Sequence, residues 1–108
     1  MNAQAEEYLR QASFLQFLPP ETYERVRKLF HESYHDFGET IIRQGDAADA
    51  FYVLVAGRAR VIRTTAEGRE IPLNLLRAGD VFGEAALLSN EPRNATVRCS
   101  TSVEVLRL

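Results

Sequence analysis

Val81-Phe82-Gly83-Glu84-Ala85-Ala86-Leu87-Leu88-Ser89-Asn90-Glu91-Pro92-Arg93-Asn94-Ala95-Thr96-Val97 is the stretch on which the reading of this chain turns. It runs as a strand end, a glycine turn, one apolar helical turn, a loop with a proline, an arginine, and a new strand. A helix start leaves backbone N–H groups without intrahelical partners and carries the positive end of the helix dipole, so it favours anions. Arg93 adds a planar fork of donors that suits a phosphate, and Glu84 is an acceptor that suits a sugar hydroxyl. An acceptor and an anion-binding group brought together by one short loop point to a ligand carrying both phosphate and ribose.

The rest of the chain bounds what this stretch can belong to. With 108 residues it is one domain, and 45% apolar residues suit a globular core rather than a disordered tail. A net charge of −2 gives no electrostatic footprint for nucleic acid, so no direct nucleic-acid contact is expected. The longest apolar run, 50–56, is too short to span a bilayer. Cys99 is the single cysteine and nothing resembles a secretion signal, which favours a reducing, cytoplasmic setting.

Periodicity divides the chain in two. Tyr8, Leu9, Ala12 and Leu15 fall at near-helical spacing over 2–16, and Leu18-Pro19-Pro20 breaks that helix. Pro20 then opens a second helix, with Tyr23, Val26, Leu29 and Phe30 as its expected inner stripe. Residues 1–30 thus read as a helical segment. From 31 to 108 the period is two, in short strands separated by glycine turns at Gly38, Gly45, Gly57, Gly68 and Gly79. Evenly spaced short strands predict a mainly β fold, a jelly-roll barrel. Pro72 has no N–H for a ladder, so its strand should be an edge strand or be bulged there.

Phe82-Gly83-Glu84, Ala86-Leu87 and Pro92-Arg93, followed by Ala95-Thr96-Val97, resemble the phosphate-binding cassette of the cyclic nucleotide-binding domain family without a gap. The resemblance extends over about Leu15 to Leu108. It implies a jelly-roll sensor for cAMP or cGMP, with no catalytic residues and no cofactor besides that ligand. Arg93 would neutralise the cyclic phosphate, N–H groups of Ala85, Asn94 and Ala95 would complete its cradle, and Glu84 would take the ribose 2′-hydroxyl. Gly83 would let the backbone approach, and Val61 and Leu73 would lie near the base. Binding would pull the short cassette helix and reposition flanking helices. Family members continue past the last strand into lid helices, so the resemblance places lid and effector beyond Leu108. A homodimer is left open. Asn94 departs from the small or hydroxyl residue usual after the arginine, which leaves the base undetermined. A domain of the same fold that has lost its ligand and serves as a scaffold is the alternative.

One other motif needs a decision. His31-Glu32-Ser33-Tyr34-His35 matches HExxH, a zinc-protease pattern that requires both histidines on one helical face and a third ligand. Ile41 stands where a third histidine would be, and the helix should end near Phe30. No metal site is therefore assigned, and no histidine after His35 is available for a cupin-type centre or a catalytic base.

Overall fold

In the computed structural model, the backbone of residues 1–108 is described, together with all side chains except those of Ser13, Phe14, Ala85, Ala86 and Leu87. Helix α1, Ala3–Gln11, is started by Asn2, whose side-chain oxygen accepts from the N–H of Ala5 at 2.8 Å. Ala5 and Leu9, four residues apart, are buried on one face. The single helix expected over 2–16 is in fact two pieces. Ala12 leaves helical geometry (ψ 126°), and a 3₁₀ turn follows at Ser13–Phe17. This redirection lets Leu15 reach the same buried layer as Leu9. Pro19 and Pro20 end the segment, and Pro20 is the first residue of α2, Pro20–Arg27. Tyr23 and Phe30 are buried as expected, whereas Leu29 is 58% exposed. The reason is that α2 stops at Arg27, so Leu29 lies in the following turn and off the helical stripe.

Arg27 ties the two helices together: its Nε and Nη2 donate to the two carboxylate oxygens of Glu6, at 3.1 and 2.5 Å. The Arg27 guanidinium hydrogen-bonded to Glu6 holds that carboxyl below its usual range. A folded-state pKa below the unfolded one adds stability above the unfolded value, and this is lost as pH falls through the folded one. Thermal melts should therefore lose stability from about pH 4.5 downward, with Glu6→Gln flattening that part of the profile. A wild-type profile already flat in that range would show that the pair contributes nothing.

The eight strands are β1 (His31–His35), β2 (Thr40–Ile42), β3 (Tyr52–Ala56), β4 (Ala59–Thr64), β5 (Glu70–Leu76), β6 (Val81–Phe82), β7 (Thr96–Cys99) and β8 (Val103–Arg107). They form two antiparallel four-stranded sheets, β1-β8-β3-β6 and β2-β7-β4-β5, called A and B below. This is the expected mainly β jelly-roll arrangement. Alternation sends Tyr52, Leu54 and Val105 into the core between the sheets, against Ala59, Leu76 and Val97 of sheet B. Phe51, Val53, Val55 and Leu106 point outward from sheet A and are covered by the N-terminal helices. Both faces of β3 are thus buried, which explains why its sequence is a continuous apolar run with no alternation.

Pro72 sits where its missing N–H does least harm. Strand β5 is the edge of sheet B, and a bulge follows directly: Ile62 pairs with Pro72 but Val61 pairs with Asn74, so Leu73 faces no partner. His31 and His35 lie on β1, not on a helix. Four residues of strand separate them by about 13 Å, too far for the HExxH geometry. His35 Nδ1 is instead 3.1 Å from Glu39 Oε2, and its Nε2 is 3.1 Å from Ser33 Oγ.

Candidate functional site

Between the sheets, at the end where β6 leads into the cassette, lies a cavity of about 230 Å³. The chain reaches it through Gly83, whose φ of +88° is a conformation that glycine adopts without a Cβ penalty. Space imposes the same choice, since a Cβ there would stand 3.1 Å from Arg93 Nη1 and 3.2 Å from Ile42 Cδ1. Helix α3, Glu84–Ser89, follows, and Asn90 (φ +59°) turns the chain out of it, a left-handed role that asparagine tolerates.

The loop into β7 is fastened by its backbone. Arg93 donates its N–H to Asp46 O and accepts from Gly45 N–H, both at 2.8 Å. Its side chain then runs inward rather than out to solvent and is only 6% exposed. The guanidinium donates through Nη1 to the carbonyl of Gly83 and through Nη2 to that of Ala50, each at 2.5 Å. These two bonds use part of a five-donor fork, and the remaining N–H groups have no protein acceptor among the described residues. The sequence reading expected a free phosphate-binding fork; the arginine is also a buried strut joining the loop, the glycine turn and the start of β3.

Glu84 and Arg93 line the same cavity. They do not form the salt bridge that an ordinary structural pair would make: none of the ion pairs within 4.0 Å among the described residues joins them. An acceptor and a cation therefore face one space without neutralising each other. Asn94 and Ala95 line it too, and none of the loop and turn hydrogen bonds among the described residues uses their N–H groups. Ala85 belongs to α3, and its side chain lies outside those described.

The opposite wall is sheet B. Val61 lines it beside Leu76. Leu73 does not; it is 51% exposed on the outer side. The bulge after Pro72 is the cause, because one extra residue reverses the alternation and turns Asn74 and Leu76 inward instead of Leu73 and Leu75. Asn74 is the lining residue that sequence reasoning missed, although Pro72 was the signal that could have found it. Its Oδ1 accepts from the N–H of Leu75 at 2.9 Å, which leaves the amide NH₂ as a donor.

The sequence model of the cyclic nucleotide-binding domain matches residues 34–108, which takes in every strand from β2 onward, the cassette and the cavity. The chain belongs to the cyclic nucleotide-binding domain family. It is 38% identical over 103 residues to the cAMP-dependent protein kinase regulatory subunit of Emericella nidulans, covering 95% of this chain and 24% of that protein. It is 37% identical over 111 residues to the cGMP-dependent protein kinase egl-4 of Caenorhabditis elegans, covering 99% of this chain and 14% of that one. Among solved structures, the regulatory domain of Toxoplasma gondii PKA with cAMP superposes with a TM-score of 0.90 at 31% identity, over 97% of this chain and 40% of that one. The domain thus spans about a quarter or less of the length of these curated relatives. Among the described residues no helix is long and apolar enough to cross a membrane.

Proposed function

We propose that this domain binds a cyclic nucleotide in the cavity between its sheets and regulates an effector carried by the full-length protein, with no chemistry of its own. The observation that carries this is the pair Glu84 and Arg93, which face one cavity yet are not paired with each other. The phosphate goes to Arg93 and to the N–H groups of Asn94, Ala95 and Ala85. The ribose 2′-hydroxyl donates to Glu84, and the base lies against Val61, Leu76 and Asn74. That the relatives named include both cAMP- and cGMP-dependent kinases supports the ligand class and leaves the base open.

Titration calorimetry with cAMP, cGMP and their 2′-deoxy analogues tests the reading. Glu84→Gln should weaken the ribonucleotides and leave the deoxy analogues nearly unaffected, because both changes remove one shared contact. The free donor of Asn74 matches the O6 acceptor of guanine better than the amino group of adenine. Asn74→Ala should accordingly lower cGMP affinity relative to cAMP about two- to tenfold, the range of one neutral hydrogen bond. An unchanged ratio would remove Asn74 from base recognition. A second reading, a ligand-free scaffold, is favoured by the structural employment of Arg93 between two carbonyls. It stands if neither nucleotide produces heat or raises the melting temperature.

A further inference from the structure

The outer faces of the two sheets differ. The N-terminal helices cover that of sheet A, while that of sheet B leaves Arg60 and Leu75 exposed. Across sheet B one register row reads Thr40, Arg98, Arg60, Leu75, with Arg98 and Arg60 directly opposite each other on neighbouring strands. Like charges in that position oppose pairing. Among the described residues only Glu70 answers them, at 3.2 Å from Arg98. The row ends at a hollow of about 480 Å³ lined by Gly57, Arg58, Leu75, Arg77, Ala78 and Ser100. Arg58 and Arg77 form no ion pair among the described residues. Asp80, the nearest acid in the chain, accepts from the backbone N–H of Arg77 instead. At the hollow, Ser100 Oγ is buried without a hydrogen-bond partner, and Leu75 is 58% exposed.

We propose that this face docks an extended acidic segment of a partner protein, with a carboxylate held by Arg58 and Arg77 and a neighbouring aliphatic side chain on Leu75. Two guanidinium groups that form no ion pair among the described residues, set at one hollow, are the complement of an anion. The leucine beside them selects an anion borne on an apolar-containing chain. Nucleic acid fits worse, because the row and the hollow offer no aromatic ring for a base to stack on. The face lies on the far side of sheet B from the nucleotide cavity, so the proposal stands or falls separately from the assignment of the ligand.

A fluorescein-labelled peptide of alternating glutamate and leucine, followed by anisotropy, is the probe. It should bind the wild-type domain and weaken as salt rises. Arg58→Glu with Arg77→Glu should reduce its affinity at least about tenfold, and Leu75→Ser by about three- to tenfold. The milder Arg58→Gln, Arg77→Gln variant should show the same direction if charge reversal perturbs folding. All variants should keep the wild-type response to cyclic nucleotide. Peptide binding undiminished in the double variant would overturn the proposal. So would equal binding of a glutamate–serine peptide, tighter binding of single-stranded DNA or anionic vesicles, or self-association of the domain through this face.

Discussion

Replacing Arg93 by leucine is expected to lower affinity for cAMP and cGMP together by about ten- to a hundredfold. The lost contact is a charge-assisted one to phosphate, worth roughly 1.5–3 kcal/mol. The effect should not stop at the ligand, because Arg93 is buried and supplies hydrogen bonds to Gly83 O and Ala50 O. Stranding those carbonyls costs about 1–3 kcal/mol, partly offset by removal of a buried charge. The ligand-free variant should therefore melt below wild type, a cost that a merely exposed binding residue would not carry. Lysine should rescue little of either property, since a single ammonium cannot reproduce a planar fork that spans two carbonyls and a phosphate. Calorimetry reads the first effect and melting without nucleotide the second. Wild-type affinity in Arg93→Leu would place the phosphate elsewhere.

Gly57→Ala should be the most damaging single change to the fold. Gly57 has a φ of +89° in the β3–β4 turn, and a Cβ there would sit 2.2 Å from the carbonyl oxygen of Ser102, with Thr101 Oγ1 and Val103 Cγ1 within 2.9 Å. The β3–β4 and β7–β8 connections, each of which crosses from one sheet to the other, meet at this point, and only a residue without a side chain lets them approach. Left-handed strain plus overpacking against backbone amounts to about 2–5 kcal/mol. That is a large share of the roughly 5–15 kcal/mol available to a domain. Gly45→Ala is the matched control: its φ is +91°, but a Cβ there meets nothing within 4 Å. It should cost only the conformational part, about 1–2 kcal/mol. Equal denaturation midpoints for the two variants would show that the two inter-sheet connections do not pack as described.

Both predictions turn on residues whose identity was plain in the sequence and whose surroundings were not. The cassette was readable because it is local: a glycine, a carboxylate, a short apolar helix and a proline–arginine loop follow one another within seventeen residues. Strand and turn positions were readable for the same reason, since glycines and a change of period mark them. What Arg93 touches depends on Ala50, 43 residues earlier in the chain, and no local pattern encodes that. Leu29 was misplaced because the helical stripe was extended past the point where α2 ends.

Strand β5 separates the two kinds of information most clearly. Pro72, with no N–H to give, by itself required an edge strand or a bulge, and the structure has both. Which side chains then face the cavity was a tertiary decision. The bulge falls after Pro72, so the pairing with β4 leaves Leu73 outside and brings Asn74 in. Composition, period and cassette fixed the fold class, the turns and the candidate ligand-binding residues. Register between strands distant in sequence decided which of those residues share a cavity, because a shift of one residue sends every following side chain to the opposite face.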